Sequence, residues 1–193
     1  MKWIIRIGVI TVGIPSLAIG LLMLARFRPG RGHIHAEIEI NRPASQVFRW
    51  ISREDLIKQW VGGLSEITPI SSAGESGEIG KRFHMTEFDR EENARTEMEM
   101  TVTEYVPGEK LGVQIRSLGG QGEGFVENAE YRLSPAADGT WLTFEIQTEY
   151  YGRLPKAFEP MITRAARKKV QRDLGRLKVL VEQEPEKTTG KVK

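Results

Sequence analysis

The sequence predicts an α+β domain in which a curved, seven-stranded antiparallel sheet closes around one long C-terminal helix. Three observations carry this. Seven segments between His33 and Tyr151 alternate apolar and polar residues with a period of two. The breaks between the later segments, SSAGESGEIG, VPGE, SLGGQGEG and SPAADG, are short and rich in Gly, Ser and Pro, so consecutive strands pair antiparallel. After Gly152 the period changes to 3.6 and holds to Val181.

In chain order, HIHAEIEI (33–40) reads as a half-buried strand. Asn41-Arg42-Pro43 then offers a turn with proline before a helical spacing of Val47, Phe48, Trp50 and Ile51. A second short helix, Ser52 to Trp60, ends at Gly62-Gly63. Strands follow at Leu64 to Ile70, Lys81 to Asp89, Arg95 to Tyr105, Lys110 to Arg116, Gly124 to Leu133 and Thr140 to Tyr151. The long helix places Phe158, Ile162, Ala166, Val170, Leu174, Leu177 and Val181 on one stripe, with Met161 and Ala165 beside it. The expected organisation is an N-terminal anchor and basic linker over 1–32, the domain over 33–183, and a polar, disordered tail over 184–193.

The anchor is read from Ile7 to Ala25, which are 19 consecutive uncharged residues. A helix of that length spans about 28 Å, close to a bilayer core. Trp3 and basic residues flank it, and the wider span 4–25 is the expected membrane contact. A cleaved signal peptide is the competing reading, but Met23-Leu24-Ala25 lacks its small-x-small site. These features predict a single-pass membrane protein with its folded body on the cytoplasmic side.

Composition removes several functional classes. With no Cys there is no disulfide, thiolate nucleophile or zinc finger. The net charge of +2 conceals an asymmetry: residues 1–32 hold five basic and no acidic side chains, whereas 33–154 hold twelve basic and twenty-one acidic ones. That balance argues against a nucleic-acid binder. The outer face of the long helix, with Arg164, Arg167, Lys168, Arg172, Arg176 and Lys178, reads as a solvated face, a patch for anionic headgroups or a partner site. No metal is expected, because His33 and His35 share a strand face but His84 is distant. The glycines around Gly80-Lys81 lack the Walker spacing, and no G-x-S-x-G elbow surrounds Ser76.

The opening IEINRPASQVFRWISREDLIKQW, the strand-turn EYVPGEKL and the ending LGRLKVLVE resemble the START-like or SRPBCC superfamily, in its polyketide cyclase/dehydrase branch. The resemblance covers roughly residues 33 to 183. It implies the helix-grip fold, with a cavity for apolar ligands between sheet and helix, and relatives that bind coenzyme Q or transfer lipids. No cofactor is expected.

Strand parity then selects the residues that face such a cavity. They are Phe83 and Met85; Met98, Met100 and Val102; Leu111, Val113 and Ile115; Phe125, Tyr131 and Leu133; and Leu142, Phe144 and Ile146, with Met161 and Ala165 opposite them on the helix. A Met-rich, aromatic face reads either as an adaptable ligand lining or as plain core. The same parity carries Glu87, Glu127, Thr148 and Tyr150 inward. A carboxylate there is paired, neutral or near solvent. Glu127 is the candidate general acid or base, with Tyr150 as a hydrogen-bond donor to an oxyanion and Glu87 as a second carboxylate. Trp60 and Val61 either border a cavity mouth or pack in the core.

Three functions stay open. The first is a membrane-anchored module holding a lipid, quinone or other apolar molecule. The second is a cyclase/dehydrase-type enzyme using Glu127. The third is an envelope-associated interaction protein with a filled core.

Overall fold

The computed structural model describes residues 30–71, 78–89, 93–119 and 124–185. The chain runs β1 (Arg31–Ile40), α1 (Ala44–Ser52), α2 (Glu54–Trp60), β2 (Leu64–Ser71), β3 (Arg82–Asp89), β4 (Ala94–Val106), β5 (Lys110–Ser117), β6 (Gly124–Pro135), β7 (Thr140–Tyr151) and α3 (Arg153–Gln183). The strands form one antiparallel sheet in the order β1-β7-β6-β5-β4-β3-β2. This is the helix-grip arrangement expected from the sequence. Register shifts within β2 and between β4 and β5 mark bulges, which add twist and help the sheet curl.

Alternation decides which face is core. Along β7 the residues Leu142, Phe144, Ile146, Thr148 and Tyr150 are buried while Trp141, Gln147, Glu149 and Tyr151 are exposed. Phe83, Met85, Met98, Met100, Val102, Leu111 and Val113 are buried on the same concave wall. Val47, Phe48, Trp50 and Ile51 of α1 pack into one cluster with that wall. Trp60 is core rather than rim, and its indole N–H donates to the Trp50 carbonyl at 3.1 Å. At the β6–β7 turn a side chain on Gly139 would stand 2.8 Å from the Asn41 Cα. Only glycine lets this turn close on the β1–α1 junction, where Thr140 donates to the Arg42 carbonyl at 2.7 Å.

Helix α3 runs alongside β1 in the same direction. A Cβ on Gly32, near the strand's start, would lie 2.8 Å from the Thr163 hydroxyl, and Asn41 just past its end donates its N–H to Glu182 at 2.9 Å. Nine strand steps cover about 30 Å, and nineteen helical steps about 28 Å. Strand and helix are therefore matched from Thr163 onward, and the turns before Thr163 run past the start of β1.

The two ends of α3 differ accordingly. Leu174, Leu177 and Val181 are buried. Beyond them the Glu184 carboxylate accepts the Trp50 indole N–H at 2.7 Å and pairs with Arg49. The Arg42 guanidinium donates to the carbonyls of Glu182 and Glu184, satisfying helix-end acceptors. The Trp50 hydrogen bond and the Arg49 charge hold the Glu184 carboxyl below the usual range. At the other end, Phe158 is 50% and Met161 64% exposed.

Three expectations are corrected here. Met161 and Ala165 point to solvent rather than toward the sheet, because they lie on the side of the helix turned away from β1. Glu184, expected in the tail, is docked on α1, while residues 186–193 lie outside the described residues. The reading as a single-pass membrane protein with a cytoplasmic body is not upheld, since among the described residues no helix is long and apolar enough to cross a membrane. The run Ile7–Ala25, on which the anchor was read, lies outside the described residues.

Candidate functional site

Residues of opposite character meet where β6 and β7 leave the apolar core. The register sets Glu127 across from Thr148 and Phe125 across from Tyr150, all on the concave wall. Thr148 donates its hydroxyl to Glu127 at 3.2 Å. Glu127 is half-buried and makes no ion pair with a described cation. Burial raises its pKa; the Thr148 hydroxyl pulls it down, the Glu87 charge pushes it up and Lys169 lowers it, leaving the carboxyl above its ordinary value.

Glu87 enters the same region from β3, where it meets Lys169 of α3 at 3.3 Å. Lys169 also contacts Asp173 at 3.0 Å, one helical turn on. Asp173 in turn accepts the Gly62 N–H at 3.0 Å from the α2–β2 turn. Burial alone would lower the Lys169 ammonium, but the Glu87 and Asp173 carboxylates outweigh it and hold it above its ordinary value. The lysine is thus committed, and Glu127 is left without a countercharge in contact.

Tyr150 is buried beside the Thr163 and Thr148 hydroxyls. Thr163 donates onward to Glu159 at 3.0 Å. Burial raises the Tyr150 phenol, the two hydroxyls oppose this, and the Glu127 charge adds to it. Gly32 makes this packing possible, since any side chain there would collide with Thr163 and press on the Tyr150 ring. Tyr131 lies further along β6, stacked on Phe144 at 4.2 Å and edge-on to Trp60. Its phenol is also raised, mainly by burial.

The three candidate catalytic residues therefore converge on one polar lobe of the concave wall, with Glu87 linked to the helix and Glu127 and Tyr150 joined through Thr148. Of the apolar candidates, Phe83, Met100, Val113 and Tyr131 line a cavity of about 40 Å³ beneath α1 and α2. That is room for about one water molecule. Met85, Met98 and Phe144 are buried in the surrounding core, Phe125 sits next to the polar lobe, and Met161 and Ala165 stand outside. A wider, open groove of about 610 Å³ lies at the far ends of β5 and β6, where its cations Lys110 and Arg132 are both paired with Glu130. Among the described residues no group of His, Asp and Glu is arranged to hold a metal ion.

Sequence reasoning missed Lys169, Asp173 and Thr163. The signal was present: Lys169 and Asp173 are an i, i+4 charged pair between Ala166, Val170 and Leu174, on the inward side of the helix.

Solved structures share this fold. CV1439 from Chromobacterium violaceum aligns over 79% of this chain and 99% of its own with a TM-score of 0.61 at 17% identity. Ara h 8.0201 aligns over 80% and 99% with a TM-score of 0.63 at 11% identity. DynU16, a protein of the dynemicin biosynthetic locus, aligns over 79% of this chain and 48% of its own at a TM-score of 0.54 and 16% identity. At such identities the likeness is one of fold alone. No curated protein matches the sequence. Residues 31–182 match the model of one family across the whole folded region, and the chain belongs to that family, polyketide cyclase / dehydrase and lipid transport.

Proposed function

We propose that the protein binds an apolar small molecule whose polar end meets Glu127 and Tyr150 and whose body lies on the Met and aromatic residues of the concave wall. One observation carries this reading: a half-buried carboxylate with a raised pKa, held by a single threonine and touching no described cation. Such a group lowers stability where it stands, and local rules of this kind are broken mainly at working sites. Family membership supports an apolar ligand or a cyclase-type reaction.

The test is native mass spectrometry with solvent extraction of the full chain. Wild type is expected to retain about one equivalent of an apolar molecule bearing one polar group. Met100→Trp, which fills the wall, and Glu127→Gln, which alters its polar end, should retain several-fold less. A wild-type protein that carries nothing and takes up nothing when titrated with dodecan-1-ol would instead have a filled core.

A second reading has its own observation. The raised Glu127 carboxyl beside Tyr150 is the acid–base pair that a cyclisation or dehydration needs. Turnover of the retained molecule by wild type and its loss in Glu127→Gln would establish catalysis.

A further inference from the structure

We propose that the bridge from Lys169 to Glu87 and Asp173 is an ionic latch holding the first half of α3 over the concave wall, and that the interior fills and empties by its release. The second clause rests on the ligand-binding reading above. The first stands on geometry alone.

A cavity of about 40 Å³ admits no apolar molecule of useful size, so loading moves a wall. Four walls bound the interior, and the one formed by α1 and α2, which roofs the cavity, is fixed by the buried Val47, Phe48, Trp50, Ile51 and Trp60. The sheet is hydrogen-bonded from β1 through to β2. The second half of α3 is pinned by Leu174, Leu177 and Val181 and by the Glu184 clamp on α1. What remains is the first half of α3, which extends past the start of β1, exposes Phe158 and Met161, and contains Pro160. Pro160 removes one helical hydrogen bond and eases bending there.

Ala166 packs on the core, and the side-chain bonds that tie this half are polar. Lys169 sits at its end and reaches Glu87 on β3, five places across the sheet from β1, so the contact crosses the open side of the curl. Asp173 adds the α2–β2 turn through the Gly62 N–H. The Lys169 and Glu87 side chains are 32% and 31% exposed. Water and salt therefore reach the pair, and it exchanges partners far more readily than the buried leucines do. A strap of this kind holds in the resting state and yields without unfolding the domain.

The experiment follows uptake of the neutral fluorescent probe N-phenyl-1-naphthylamine by stopped flow, with hydrogen exchange of the full chain in parallel. Lys169→Met and Glu87→Gln should each speed probe uptake and exchange over 156–169 by roughly fivefold, with no change over 174–183. Wild type in about 1 M NaCl, where screening acts within about 3 Å, should gain the same acceleration, and Lys169→Met should gain none. The salt arm and Glu87→Gln decide the matter if Lys169→Met fails to fold. Unchanged uptake and exchange in the variants and in salt would overturn the latch. Faster exchange over 156–169 with no probe taken up by any form would uphold the latch and remove the ligand instead.

Discussion

The two halves of α3 are one continuous helix under opposite constraints. The second half buries Leu174, Leu177 and Val181 against the core and ends in a clamp of Arg42, Arg49 and Trp50 on the last carbonyls and Glu184. The first half exposes Phe158 and Met161, begins at Gly152 with no side-chain cap, and meets the sheet through Thr163, Lys169 and their partners. Apolar burial is strong and needs no particular geometry, whereas a partly wet ion pair is weak and easily exchanged. One end of the helix thus supplies stability and the other leaves room for change.

The comparison breaks most readily at the stable end. Leu177→Ala removes a fully buried side chain and should cost about 3 kcal/mol in urea unfolding. Glu184→Ala leaves the Trp50 indole and Arg49 without their acceptor and should cost about 1–2 kcal/mol. Its pH signature follows from the lowered Glu184 pKa. The contribution is complete above the ordinary carboxylate value and disappears as pH falls through the lowered one, so the variant should lose less stability than wild type on acidification.

Glu127→Gln should act in the opposite direction. The folded protein holds a proton on Glu127 more tightly than the unfolded chain does, so stability declines as pH rises from the ordinary carboxylate value toward the raised one. At pH 7 the amide removes that loss, and the melting temperature should rise by about 2 °C. A lower melting temperature would mean that the carboxylate is structural. Phe158→Ser, on the exposed half, should change stability by less than about 0.5 kcal/mol.

Most of the fold was legible because both of its periods are local. Alternation along β3 to β7 placed Phe83, Met85, Met98, Met100, Val113, Phe144 and Tyr150 on the inner wall, where all are buried. The misplacement of Met161 and Ala165 has a geometric origin. Each stands one residue, about 100° of helical turn, before Ile162 or Ala166 on the apolar stripe, and that step turns it away from β1. The polar lobe was legible on the strands, while on the helix the sequence shows the charged pair but not its partners. Parity turned Glu87, Glu127 and Tyr150 inward, whereas Lys169 and Asp173 acquire their meaning from Glu87 and Gly62, more than eighty residues away in sequence.

The most direct test of where the molecule does its work is hydrogen exchange of the wild-type chain with and without saturating dodecan-1-ol. Added protection is expected over 124–129, 147–151 and 156–169, around Glu127, Tyr150 and the first half of α3. Protection confined to α1 and α2, or absent throughout, would contradict the account.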